Sequence, residues 1–203
     1  MLGLPKSTEL SKQLPKKAIY EKFNMNTAAK EKFDADISRI NIVAEISPNT
    51  VNITKGETVS VIYVLQVLLK HKAFDPKTIS QISKLIDQNM LLVLDCGGER
   101  KLAIHHVKLI QAEWGPADIC AIELKGLDLD SVWENLVKSL EGGVWSEELS
   151  LDENIALHEQ QAKLQKEITR LEKLARAEKQ PKKKFEIVQQ IKELELRLPG
   201  GYL

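Results

Sequence analysis

Five charged residues in the middle of the chain have the types that hold a divalent cation and polarise a water for phosphodiester hydrolysis: Glu45, Lys70, Asp95, Glu99 and Lys101. Metal-dependent nucleases use clustered carboxylates, often with a lysine, on neighbouring strands for this purpose. Glu99-Arg100-Lys101 has the form Glu-x-Lys, but with Asp95 it surrounds the Gly97-Gly98 turn instead of lying on separate core strands. The reading favoured here is a solvated turn in which Asp95 pairs across the strands with Arg100. A nuclease would require Glu45, Lys70 and Asp95 to converge in one pocket.

His105 and His106 are adjacent, so on a regular strand they point to opposite faces and cannot ligate one metal ion. Cys96 and Cys120 belong to no Cys-x-x-Cys pair and are expected to pack as small hydrophobes. No phosphate-binding glycine loop is present, and nucleophile, base and orienting partner are not assembled in the sequence. No cofactor, metal site or catalytic residue is assigned. Lys70, near the end of a covered strand, is expected to carry its charge out to solvent.

The charge that stands out is regional. Lys+Arg and Asp+Glu balance at 29 each over 203 residues. Between Lys163 and Lys184, however, nine basic residues face three acidic ones. Lys173, Arg176, Lys179, Lys182, Lys183 and Lys184 are the candidate nucleic-acid contacts, through phosphate. Against that stand the lack of base-stacking aromatics other than Phe185 and the availability of local pairs, Glu172 with Arg176 and Glu167 with Arg170, which suit a solvated helix tip.

The elements that must position these residues follow from periodicity. Residues 1–26 read as a basic leader, extended apart from a short helical piece around Thr8 to Gln13, with Pro5 and Pro15 as breaks. Residues 27–143 read as the globular domain. In it Thr27 caps a helix to about Ser38, with Phe33 and Ile37 on its buried side, and Arg39 to Ser47 alternates as a strand buried on one face. Val59 to His71 is apolar on both faces, as a central strand should be. Asp75-Pro76 starts a helix with the stripe Ile79, Ile82, Leu85 and Ile86 that runs to about Gln88.

Met90 to Cys96 and Glu99 to Val107 flank Gly97-Gly98 as a hairpin, with Asp95 opposite Arg100, Val93 opposite Leu102 and Leu91 opposite Ile104. A further strand is predicted over Asp118 to Leu124. Asp128 caps an amphipathic helix carrying Leu129, Val132, Trp133, Leu136, Val137 and Leu140. This order gives an α+β fold with a mostly antiparallel sheet and flanking helices.

Residues 144–203 read as a C-terminal α-helical hairpin, a short coiled-coil arm that would stand out from the body. Leu157, Leu164 and Leu171 recur every seven residues with Ile168 and Ala175 beside them, while Asn154 and Gln161 make the start of that row polar. Pro181 breaks the helix, and Phe185, Val188, Ile191, Leu194 and Leu198 form the returning stripe. Leu157, Leu164, Ile168 and Leu171 are the candidate partner contacts. The opening residues lack the apolar core of a signal peptide and Val61 to Leu69 is too short to span a bilayer, so a soluble cytoplasmic protein is expected.

Leu4-Pro5-Lys6-Ser7-Thr8-Glu9 with Leu14-Pro15-Lys16-Lys17, the stretch Tyr63 to Lys70, and Leu127 to Leu136 resemble a bacterial family, the domain-of-unknown-function family numbered 4391. The resemblance spans nearly the whole chain and carries no catalytic residues with it. It implies a locus of restriction or phage-defence type, with a helicase or DNA methyltransferase as partner. Three functions stand at this point. One is a non-catalytic accessory protein that docks through the arm. Another is a metal-dependent nuclease or other nucleic-acid-processing enzyme in the same complex. The third is a homo-oligomer built through the arm.

Overall fold

The structure is a computed structural model that describes residues 2–118 and 120–198. Residues 1–142 and 143–203 form two compact units. The first is an α+β domain around a seven-stranded, mostly antiparallel sheet of order β1-β2-β3-β4-β5-β6, with β7 paired to β5. The strands are β1 (Glu9–Gln13), β2 (Ile37–Ile46), β3 (Ile62–Leu69), β4 (Asn89–Cys96), β5 (Glu99–His105), β6 (Leu109–Gln111) and β7 (Gly115–Pro116). Only β3 and β4 run parallel. Parallel neighbours need a crossover connection, which here includes helix α3 (Pro76–Ile82).

Helices α1 (Lys16–Lys22), α2 (Thr27–Asp36) and α3 share one core with one side of the sheet: Ile19, Phe33, Ile79 and Ile82 cluster with Ile40, Leu65, Val67, Leu92 and Leu94. Leu91 and Val93 are also buried but fall outside that cluster, as alternation along β4 requires. α4 (Leu129–Glu141) lies near β5 and β6, burying Leu129, Val132, Trp133, Leu136 and Val137. On β3 the face opposite that core is buried at Ile62 and Val64 and half-buried at Gln66 and Leu68.

The hairpin register is the predicted one, Asp95 with Arg100, Val93 with Leu102 and Leu91 with Ile104, and Gly97 and Gly98 supply the turn's positive φ. Asp75 caps α3, which ends at Ile82, short of the predicted length. Ser83, Lys84 and Leu85 close the end with i→i−4 and i→i−3 bonds to Ile79, Gln81 and Ile82. Asn26, not Thr27, caps α2, accepting from the Ala29 N–H at 2.9 Å. The chain passes directly from Asp36 into β2.

Two expected elements fail. Residues 9–13 form an edge strand on β2 instead of a short helix, and α1 follows them. The described residues of 118–124 form no strand, and Ile119 lies outside the described residues. Ile122 is buried, but its hydrogen bond to the Leu2 carbonyl is a single contact and not a ladder.

Asp130, in the first turn of α4, fastens the loop between β2 and β3. Its carboxylate accepts from the backbone N–H groups of Glu57 at 2.7 Å and Val59 at 2.7 Å, and from the Thr58 hydroxyl at 2.8 Å. These bonds, the Val59 N–H first, hold its carboxyl below the usual range. The approach is so close that a Cβ on Gly56 would stand 2.4 Å from Asp130 Cγ and 2.8 Å from its backbone nitrogen. Gly56→Ala should therefore cost about 1–3 kcal/mol, read as a lower urea midpoint; an unchanged midpoint would show that the loop gives way freely.

Candidate partner-binding arm

The second unit is a helical hairpin: α5 (Leu151–Ala177), about 40 Å long at 1.5 Å per residue, and α6 (Pro181–Glu195), which begins on the predicted proline. α5 starts with a capping box in which the Ser150 hydroxyl accepts from the Glu153 N–H and the Glu153 carboxylate accepts from Ser150. Asn154, read from sequence as a polar interruption of the seam, is 2% exposed. Its amide donates to the carbonyls of Ser146, Leu149 and Ser150, and its oxygen accepts from the Ser146 N–H. It anchors the loop that leads into α5. The nitrogen and the oxygen of that amide are both engaged locally.

Of the candidate partner contacts, Ile168 and Leu171 are buried, with Ala175 on the same helical face, where α5 runs beside α6. They hold the hairpin together and offer little to a partner. Leu157 and Leu164 are half-buried. The available apolar surface lies elsewhere: Leu174 is 45% exposed, Phe185 63% and Leu196 70%, and no residue of α6 is fully buried. Leu174 sits off the seven-residue rows, one turn beyond Leu171, so the periodicity does not mark it.

The candidate nucleic-acid contacts are all exposed. Arg176 pairs with Glu172 at 3.8 Å, and Arg170 grips Glu167 through Nε and Nη2 at 2.9 and 2.6 Å, as the spacing predicts. Lys173, Lys179, Lys182, Lys183 and Lys184 make no ion pair among the described residues.

The proposed nuclease residues do not converge. Glu45 pairs with Tyr63 at one end of β3, whereas Asp95 pairs with Leu68 at the other and Lys70 follows β3 at that same end. That offset of five residues is about 16 Å along the strand. Asp95 accepts from Arg100 Nε at 2.8 Å and Gln66 Nε2 at 3.1 Å, Glu99 pairs with Lys72, and Lys70 is exposed. Lys101 stands over the rings of Phe74 and Trp114 at 5.4 and 5.3 Å, and burial pushes its ammonium pKa down against the pull of Glu113. Among the described residues no three His, Cys, Asp or Glu side chains are grouped to hold a metal ion.

β5 ends at His105, so the alternation expected to separate the two histidines stops there. Both line one polar groove of about 660 Å³, with Lys22, Lys84 and Trp133. The Trp133 indole donates to His106 Nδ1 at 3.3 Å. Burial, and then the Lys84 charge, hold the His105 pKa below 6.5. Cys96 and Cys120 are free and half-buried, and burial raises the Cys120 thiol pKa.

A family model described as Domain of unknown function (DUF4391) matches residues 2–198. No curated protein and no solved structure matches the chain.

Proposed function

The chain belongs to the family described as Domain of unknown function (DUF4391), and from that premise we propose that it is a non-catalytic accessory protein that docks onto a protein partner through the α5–α6 hairpin. The observation that carries this is the state of α6: a 15-residue amphipathic helix with no fully buried residue, with Phe185 exposed in its first half and Leu196 exposed at its end. Two helices side by side can cover only one flank of their shared seam, and an apolar flank left open is the signature of an interaction surface. The partner implied by the family resemblance is a helicase or DNA methyltransferase of a restriction-like or phage-defence-like complex.

The compartment proposed is the cytoplasm. Free Cys96 and Cys120 suit a reducing environment, and no helix among the described residues is long and apolar enough to cross a membrane. Affinity purification at native expression tests the docking. The full chain should bring down its partner, and a variant lacking residues 150–203 should keep the circular dichroism of a folded α+β body while losing it. Capture that survives the deletion places the docking surface elsewhere.

A further inference from the structure

The arm's charges are sorted by position. Residues 144–162 hold Glu147, Glu148, Asp152, Glu153 and Glu159 and no lysine or arginine, whereas 163–184 hold the nine basic residues against three acidic ones. Part of this sorting suits α5 itself, since acids stabilise a helix N-terminus and bases its C-terminus. α6 shows the opposite. Lys182, Lys183 and Lys184 occupy its first turn, which holds no acidic residue, although the partial positive charge of a helix N-terminus repels cations. These lysines weaken the helix that carries them and pair with no carboxylate among the described residues. Their function must then be sought outside the hairpin.

The same holds at the base. Glu147 and Glu148 are exposed and form no ion pair among the described residues. Base and tip are separated by the length of α5, about 40 Å, so neither can neutralise the other within one chain. They can do so between two chains.

We infer that the hairpin's partner is a second copy of itself, docked antiparallel so that each basic tip lies against the acidic base of the other copy. The inference rests on the hairpin being a docking surface, and it puts a second copy of the chain, in place of a helicase or methyltransferase, on the open flank. Because α6 has 15 residues against the 27 of α5, antiparallel docking lays each α6 beside the base half of the other copy's α5, which covers the seam flank that one hairpin leaves open and the half-buried Ile187, Val188, Ile191 and Leu194 along it. A two-fold axis across the arm generates both tip-to-base contacts at once. Parallel docking would set like charges side by side. A nucleic acid at the tip would leave the apolar flank open.

The test is the mass of the full chain in solution by sedimentation equilibrium. Wild type should be a dimer whose dissociation constant rises with added sodium chloride, because the charge contacts are solvent-exposed. Lys182→Glu/Lys183→Glu/Lys184→Glu and Glu147→Lys/Glu148→Lys should each weaken dimerisation about tenfold or more, and an equimolar mixture of the two should restore it. That restoration also shows that both variants are folded.

A monomeric wild type overturns the inference, and so does a dimer that both variants leave unchanged. So does a lysine variant that loses only its binding to a short DNA duplex while its mass stays dimeric and salt-independent. A monomer that still captures another protein through residues 150–203 overturns self-pairing and leaves the docking function standing.

Discussion

Phe33→Ala should lower stability by about 3–5 kcal/mol, the largest loss expected from a single substitution in the α+β domain. Phe33 is 1% exposed and its ring meets Tyr20 edge-to-face, with centroids 5.7 Å apart and planes at 90°. It sits in the cluster that joins α1, α2 and α3 to β2, β3 and β4, with Ile19, Ile37, Ile40, Leu69 and Ile79 among its members. Truncation therefore opens a void where three helices and the sheet meet, and residues held from that many directions have little freedom to collapse into it. Chemical denaturation measures the effect as a lower midpoint at unchanged slope. A loss under about 1 kcal/mol would mean that the helices slide to refill the space.

The same residue shows what a sequence makes legible. The i,i+4 spacing of Phe33 and Ile37 predicts both for the core, and both are buried although Ile37 opens β2 instead of closing α2. The β4–β5 register was legible because Gly97-Gly98 fixes the turn and so fixes every pair behind it. β1 was not. All five of its residues are exposed, so no apolar alternation marks it, and its pairing with β2 is dictated by the neighbour's free edge. The described residues of 118–124 show the converse: an apolar alternation that forms no ladder, with Ile122 bonded only to the Leu2 carbonyl.

At the candidate arm, the ion pairs of Glu167 with Arg170 and Glu172 with Arg176 were readable because they follow from helix geometry alone. The division of its leucines was not, since which of Leu157, Leu164, Leu171 and Leu174 stays exposed depends on where α6 returns. The groove with His105 and His106 was hidden for a stronger reason. It is assembled from Lys22, Thr58, Lys84, Asn89, His105 and Trp133, segments far apart in the chain, and only the early end of β5 turns both histidines into it.

Arg100→Ala should cost about 2–3 kcal/mol, somewhat less than the ~3–5 of a fully buried pair that loses one member. The reduction follows from exposure, since the Arg100 and Asp95 side chains are 15% and 19% accessible and water can partly re-solvate the abandoned carboxylate. What remains after the change is a single donor to Asp95, Gln66 Nε2 at 3.1 Å. Lost as well is the bond from Arg100 Nη1 to the Ala117 carbonyl at 3.2 Å, which ties the hairpin to the segment after β7.

Asp95→Asn separates structure from catalysis. A nuclease that used Asp95 to hold a metal ion would lose magnesium-dependent cleavage and keep its stability, because an amide fills the same space without the charge. The Arg100 pairing makes the opposite outcome the expected one: a stability loss of about 1–2 kcal/mol with no cleavage activity to lose. In a double-mutant cycle, Asp95→Asn with Arg100→Ala should fall short of the sum of the single changes by about 1 kcal/mol or more, the mark of two residues in one contact. Additive losses, or a magnesium-dependent activity in wild type that Asp95→Asn removes, would return Asp95 to the catalytic candidates.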